Sequence, residues 1–194
     1  MKTFAEVRML HLEISSRCNA RCPGCIRNFH GFPFNGGYVE HDMTLEEFQG
    51  LLPVDFLQQI EEIWFNGNFG DFIMNPQGVD IVKYVQFANA KIDIKISTNG
   101  SARNNEFWSE LGTISKVKTE FCIDGLEDTH HLYRQDTDFN KIIQNAQAYI
   151  ASGGYAVWKM IKFDHNEHQI SEAESRSKEY VFQEFRLEDH GRNS

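Results

Sequence analysis

Three cysteines near the N-terminus are the residues whose type and spacing could do chemistry. Cys18, Cys22 and Cys25 follow a strand-like run that ends at Ile14. Thiolates at such short spacing can converge on one iron-sulfur cluster. A four-iron cluster needs four ligands and this loop offers three, so either a fourth ligand comes from elsewhere or one iron is left open for a small molecule. We favour the open iron, because Cys122 lies in an apolar stretch and is expected to be a small buried side chain.

Two other uses of these thiols stay open at this point. Cysteine and histidine at short spacing are ordinary zinc ligands, so His30 or His41 could complete a structural zinc site. Cys22 and Cys25 alone could form a redox pair with a low thiol pKa. Such a pair should open a helix, and it leaves Cys18 without a role.

The elements that must position these thiols alternate between strand-like and helix-like apolar patterns, which is typical of repeated βα units around a parallel sheet. Helices are predicted to begin at Thr44, where a capping box opens a helix that Pro53 ends, and over residues 79–90, 105–111, 139–150 and 166–180. The predicted strands are Val7 to Ile14, Glu62 to Asn66, Lys91 to Ser97, Val117 to Ile123, Tyr155 to Phe163 and Phe182 to Leu187. Right-handed crossovers would curl these elements into an α/β partial (β/α)6 barrel whose strands all end on one rim.

With the motifs at its strand ends, the chain resembles the radical S-adenosylmethionine (radical SAM) superfamily. Cys-x-x-x-Cys-x-x-Cys follows the first strand, Gly67 to Asp71 the second, Thr98 to Gly100 the third and Asp124-Gly125 the fourth. The resemblance implies a [4Fe-4S] cluster on the three cysteines, with S-adenosyl-L-methionine chelating the fourth iron. It further implies reductive cleavage to methionine and a 5'-deoxyadenosyl radical that abstracts hydrogen from substrate.

The same resemblance implies the cofactor-binding residues. The stretch from Gly67 to Asp71 stands where the family has a Gly-Gly-Glu-Pro-like motif for the methionine amino group, and Phe72 replaces the proline. Ser97 and Asn99 stand in a stretch that contacts the cofactor, and Asp124 in one that contacts ribose or substrate. The implied cofactor contacts are therefore Gly67, Asn68, Gly70, Asp71, Ser97, Asn99 and Asp124. Taken alone, each of the two glycine-containing stretches is also an ordinary turn.

Five further side chains near these motifs have less definite expectations. Arg134 could pair with a carboxylate of cofactor or substrate, but we expect it to lie on the surface. His130 and His131 are likewise expected to be exposed. Gly24 stands where many family members carry an aromatic beside the cluster, so Phe29 or Phe32 is expected to cover the adenine.

Length and composition limit the domain organisation and the classes of function that remain possible. A chain of 194 residues is expected to form a single domain over residues 1–194. A formal net charge of -9 disfavours nucleic-acid binding, which draws on Lys and Arg to neutralise phosphates. No run of 18 apolar residues and no leader pattern occurs, so we expect a cytoplasmic protein without a membrane span. Its expected partners are a peptide or small-molecule substrate, an electron donor protein and a chain that closes the open barrel.

Overall fold

Six parallel strands form one open sheet in the order in which they occur along the chain. The computed structural model describes residues 3–29, 32–33 and 39–189, without the side chains of Phe29, Phe32 and Pro33. Every neighbouring pair in this sheet is parallel, and helices lie between its strands. The expected partial (β/α) barrel is confirmed.

The strands of the large sheet are short at one end of the chain and longer at the other. They are β1 Met9–Leu12, β4 Glu62–Phe65, β5 Asp93–Thr98, β6 Val117–Cys122, β7 Tyr155–Lys162 and β8 Glu184–Asp189. Two further strands, β2 Asn28–Phe29 and β3 Phe32–Pro33, pair antiparallel beyond the cysteine loop.

Within the described residues, seven α-helices connect these strands. They are α1 Leu45–Leu51, α2 Val54–Leu57, α3 Gly78–Ala88, α4 Asn105–Gly112, α5 His130–Tyr133, α6 Phe139–Ala151 and α7 Ile170–Glu179. Short 3-10 turns occur at Phe4–Glu6, Phe72–Met74 and Glu167–Gln169. Within the described residues, no helix has the length and apolar character needed to cross a membrane.

The predicted helix boundaries follow from local side-chain chemistry. The Thr44 hydroxyl accepts a hydrogen bond from the Glu47 amide at 3.1 Å, and the Glu47 carboxylate accepts one from the Thr44 amide at 2.7 Å. This confirms the capping box, and Pro53 separates α1 from α2 as expected. The helix predicted from residue 166 begins later, because the buried Asn166 side chain is bonded to Phe163 and Ile161 in the preceding turn.

The hydrophobic core fills the space between one face of the sheet and the helices. Alternate strand residues such as Ile63, Ile94, Phe121 and Trp158 are buried there against the helices. The intervening residues of each strand face the other way, onto the concave side of the sheet. Because successive side chains alternate between the two faces, the same pattern determines which side chains at the strand ends share one cavity.

Candidate functional site

A cavity of about 470 Å³ lies at the C-terminal ends of the strands. All three clustered cysteines line it. So do the cofactor-contact candidates Gly67, Asn68, Gly70, Asp71, Ser97 and Asn99. Asp124 is not among its lining residues, whereas Thr98, Cys122, Tyr133 and Arg134 are. The structure therefore brings residues from four separate strand ends to one place.

The cysteine loop presents its three thiols to three other strand ends. Cys18 Sγ lies 3.7 Å from the side-chain nitrogen Nδ2 of Asn99, a residue that follows β5. Cys25 Sγ lies 3.7 Å from the Asn68 carbonyl oxygen, which follows β4. Cys22 Sγ lies 3.8 Å from Nη1 of Arg134, beyond β6. Each sulfur therefore has a polar neighbour that could orient a bound group.

The donor set and the room around it fit an iron-sulfur cluster. All four cysteines are free thiols, and three of them surround the cavity. In the parts of the chain that the structure describes, no three His, Cys, Asp or Glu side chains converge closely enough to hold a single metal ion. Three cysteine side chains on the wall of one cavity are the type of ligand that iron-sulfur clusters use.

The two alternative uses of the thiols find no structural support among the described residues. His41 lies outside the cysteine cavity, and its Nε2 is 3.1 Å from the Glu47 carboxylate. His30 lies outside the described residues. Cys22 and Cys25 close a turn through a 3.1 Å backbone hydrogen bond and do not open a helix, as a redox pair should.

Burial favours the neutral form of two thiols in the loop, those of Cys18 and Cys22. Burial, followed by the charge of Asp71, raises the pKa of Cys18 to about 12. Burial also raises the pKa of Cys22, although the Arg134 charge opposes it. Metals bind the thiolate, so loading this site must release protons and supply the positive charge that stabilises the sulfur anions.

The loop after β4 is held in place by a carboxylate from the first strand end. Glu13 accepts hydrogen bonds from the Asn68 and Phe69 amides at 2.7 and 3.0 Å. A methyl group on Gly70 would overlap the Ser15 carbonyl, and one on Gly67 would overlap the Gly70 carbonyl. Only glycine allows this close backbone approach.

Asp71 and Asn99 join two strand-end loops through a buried hydrogen-bonded pair. Asp71 Oδ2 accepts from both the backbone and the side-chain nitrogen of Asn99, each at 2.8 Å. Its Oδ1 accepts from the Ile73 amide at 3.2 Å and so caps the turn Phe72–Met74. The carboxylate is buried, and burial raises its pKa. Asp71 is therefore not solvated, as it would be in an ordinary turn, and its oxygens already bind protein donors.

The expectation that Arg134 lies on the surface is wrong. Its side chain is only 15% exposed, and Nε donates to Asp124 Oδ2 at 2.5 Å. Asp124 is fully buried behind the arginine, where Oδ1 also accepts from the Ile161 amide at 2.6 Å. Arg134 thus reaches the cavity, and Asp124 positions it from below.

His130 also differs from expectation, because it is buried, whereas His131 is exposed as predicted. Its Nδ1 accepts from the Asp124 amide at 3.2 Å, and Nε2 lies 2.9 Å from the Thr137 hydroxyl. That hydroxyl in turn donates to the Arg134 carbonyl at 2.5 Å. Burial lowers the pKa of His130 to about 3, so it is a neutral support for the segment that carries Arg134.

Sequence reasoning missed Tyr133 as a cavity residue, whereas Thr98, which also lines the cavity, belongs to the motif predicted after the third strand. Thr98 immediately precedes Asn99, and its hydroxyl accepts from the Gly100 amide at 3.0 Å. Tyr133 packs against Phe163 with ring centroids 4.4 Å apart. Its place next to Arg134 was the available signal. The side chains of Phe29 and Phe32, expected over the adenine, lie outside the described part of the chain.

Solved structures of known proteins share the fold of this chain. The chain superposes with a TM-score of 0.74 on Streptococcus suis SuiB bound to precursor peptide SuiA, at 13% identity over 92% of this chain and 38% of that one. The TM-score is 0.70 for anSMEcpe with bound AdoMet, at 16% identity, covering 96% and 52%. It is 0.67 for methylornithine synthase (PylB), at 13% identity, covering 95% and 54%. All three matches are at 16% identity or below, so they show a shared fold, which is the partial (β/α) barrel that the resemblance to the radical SAM superfamily implies.

A curated relative also shares sequence with the chain. It is a tungsten-containing aldehyde ferredoxin oxidoreductase cofactor-modifying protein from Pyrococcus furiosus, 28% identical over 120 residues. The match covers 62% of this chain and 32% of that protein, so the chain spans about a third of the relative's length. No protein-family model matches the chain.

Proposed function

We propose that this chain is a radical SAM enzyme that acts on a peptide or a small metabolite. The observation that carries the proposal is that Cys18, Cys22 and Cys25 line one cavity with the motifs of the next strand ends, in the radical SAM fold. When bound, the [4Fe-4S] cluster and S-adenosylmethionine supply one-electron cleavage of the sulfonium and a 5'-deoxyadenosyl radical for hydrogen abstraction.

The residues of this chain bind and orient the two cofactors. The three thiolates would hold the cluster, and the methionine end of the cofactor would bind at its remaining iron. Backbone groups of Gly67, Asn68 and Gly70 line the same cavity and would receive the ammonium, and Glu13 fixes the orientation of this loop. The Asp71 and Asn99 pair holds this loop against the end of β5.

The other cofactor contacts come from the middle strands. Ser97 and Asn99 offer polar side chains on the cavity wall. Arg134 offers a guanidinium that binds a carboxylate in a two-pronged manner, and Asp124 acts through it as a positioning residue. Tyr133 lines the same wall and provides an aromatic surface for a base.

The proposal also requires an electron donor and a substrate. An electron donor protein must supply the reducing equivalent, because reductive cleavage of the sulfonium consumes one electron. A substrate is suggested by the neighbours, of which SuiB is bound to a precursor peptide and another is a methylornithine synthase. The open concave side of the sheet gives access for substrate or for a chain that closes it.

The direct test is anaerobic reconstitution with iron and sulfide, followed by dithionite and S-adenosylmethionine. We expect a brown protein that releases methionine and 5'-deoxyadenosine in equal amounts. A colourless folded protein with one zinc per chain would contradict the proposal, and binding without deoxyadenosine release would identify a non-catalytic relative.

Cys18→Ala separates the cluster from a structural zinc site. Loss of a cluster ligand should abolish deoxyadenosine release. The barrel should stay folded, because the three thiols of the loop are not part of the hydrophobic core. Loss of a structural zinc ligand should unfold the domain. Circular dichroism and iron content of the variant distinguish these outcomes.

A further inference from the structure

The concave face of the sheet carries three rows of side chains that lead away from the cofactor cavity. Strand register defines them, because residues paired across parallel strands lie side by side. The first row is Cys122, Lys159 and Arg186, the second is Ser97, Glu120, Val157 and Glu184, and the third is Trp64, Lys95, Lys118 and Tyr155. Ser97 and Cys122 also line the cavity, so the rows are continuous with it.

The first two rows form a network of partly buried charges centred on Glu120. Its carboxylate pairs with Arg186 and lies 3.6 Å from Lys159, and the Ser97 hydroxyl is 3.4 Å away. Arg186 also bonds Glu184 at 2.7 Å. The side chains of Glu120 and Lys159 are only 13% and 19% exposed. A hydrophobic sheet face would avoid the cost of desolvating these charges, so folding alone does not explain them.

The third row exposes two aromatic side chains at the far end of the same face. Trp64 is 36% and Tyr155 44% exposed. A lysine lies over each ring, with Lys95 Nζ 4.6 Å from the Trp64 centroid and Lys118 Nζ 5.0 Å from that of Tyr155. Tryptophan, tyrosine and arginine are the residues that dominate binding energy at protein interfaces.

The length of this face indicates what could cover it. Cys122 and Lys118 are four residues apart on β6, which corresponds to about 13 Å of extended strand. A single amino acid in the cavity would touch the first row and leave the aromatic row uncovered. An extended peptide of about four residues beyond the reacting one spans all three rows.

The charges favour a peptide of mixed charge. Across the rows and their partners, Lys95, Lys118, Lys159 and Arg186 are opposed by Glu62, Glu120, Glu184 and Glu188. Positive and negative side chains alternate on this face. A purely acidic or purely basic ligand would therefore meet repulsive as well as attractive charges. A ligand with one ammonium and one carboxylate side chain can exchange with existing ion pairs without leaving a buried charge unpaired.

We propose that the concave face binds an extended peptide substrate that carries acidic, basic and aromatic side chains and enters from the cofactor cavity. This inference rests on the proposed function and narrows its substrate to a peptide held by Glu120, Lys159, Arg186, Trp64 and Tyr155.

Tryptophan fluorescence makes the proposal testable without turnover. Trp64 is partly exposed, whereas Trp108 and Trp158 are fully buried, so acrylamide quenching reports on Trp64. The probes are end-blocked hexapeptides that each contain Lys, Glu and Phe in varied order. They are added to the reconstituted protein with S-adenosylmethionine and without reductant. We expect the best peptides to bind at micromolar concentration and to protect Trp64 from quenching.

Variants identify the face as the binding site. Trp64→Ala and Glu120→Gln should each weaken peptide binding about tenfold by fluorescence anisotropy of a labelled probe. Phe87→Ala removes an aromatic that is 83% exposed on α3, away from this face, and should leave the affinity unchanged. Free lysine and glutamate should not compete with the peptide.

Several results would overturn the proposal. The first three are no binding by any probe, equal competition by free amino acids, and equal affinity of the Trp64→Ala variant. The fourth is a dimer in sedimentation whose Trp64 is already protected from acrylamide without peptide. Failure of the proposed function is seen separately, as lack of deoxyadenosine release by the reconstituted protein, because the peptide measurement uses no reductant.

Discussion

Among single residues, Arg134 differs most from what the sequence predicts, because it was expected at the surface and lies in the wall of the cavity. It lies in a segment where α5, His130–Tyr133, spans a single turn, too short for an apolar stripe to reveal which residues face inward. The cysteines were identifiable because their ligand chemistry depends on type and spacing alone. Arg134 and His130 were not, since their burial depends on how the segment folds back onto Asp124.

Removing Arg134 should leave the buried Asp124 carboxylate without its ion partner. We expect Arg134→Met to lower the free energy of unfolding by about 3 kcal/mol, because a buried charge is left uncompensated. Arg176→Met is the matched control, since that arginine pairs with Glu127 and Glu172 at the surface and should cost less than about 1 kcal/mol. Urea denaturation of the cluster-free variants measures both, and equal losses would refute the burial argument.

His130 should make stability fall on mild acidification. Its pKa is lowered by burial, then by Arg134 and His131, to about 3 in the folded chain, against about 6.5 when unfolded. Between these values the unfolded chain binds a proton that the folded chain refuses, so stability decreases as pH falls through this window, by up to about 1.4 kcal/mol per pH unit. Between pH 6.5 and 4, the free energy of unfolding should fall less steeply with pH for His130→Gln than for the unmodified protein. Urea denaturation at several pH values measures both, and equal slopes would contradict this explanation.

At the scale of elements, strand ends were predictable and the contacts between them were not. Alternation of Ile92, Ile94 and Ile96 with polar residues fixes the third predicted strand, observed as β5, and its end. The position of Asn99 after that strand therefore follows from the sequence. Its bond to Asp71 does not, because it requires the neighbouring loop to approach within hydrogen-bond distance. Glu13 was missed for the same reason.

The loop after β4 supplies a test of this positioning. Gly70→Ala would push its methyl group against the Ser15 carbonyl, so the loop must move away from the cysteine segment. We expect at least a tenfold loss of S-adenosylmethionine affinity in equilibrium dialysis and a lower melting temperature.

Gly50→Ala is the control for that substitution. Gly50 lies in α1 with nothing within 4 Å of its new methyl group, so alanine should stabilise the helix by about 0.5–1 kcal/mol and leave binding unchanged. Unaltered affinity in the Gly70→Ala variant would mean that the loop does not bind the cofactor.

At the scale of the whole molecule, sequential order of six parallel strands places every strand end on one rim. The alternation of strand and helix patterns was enough to predict this architecture. It did not predict the charged concave face, because alternating polar residues on a strand look the same whether they face solvent or a ligand. The charge pairs across β6, β7 and β8 appear only once register is known.

The central claim is that three sulfur ligands hold a cluster with one iron open to the methionine end of the cofactor. Electron-nuclear double resonance tests this on reconstituted protein that is frozen with S-adenosylmethionine labelled with ¹⁵N in its amino group and then reduced in the frozen state, before the cofactor can be cleaved. The account predicts a ¹⁵N coupling to the cluster that disappears when the cofactor is left out. A reduced cluster that shows no such coupling with the cofactor bound would contradict it.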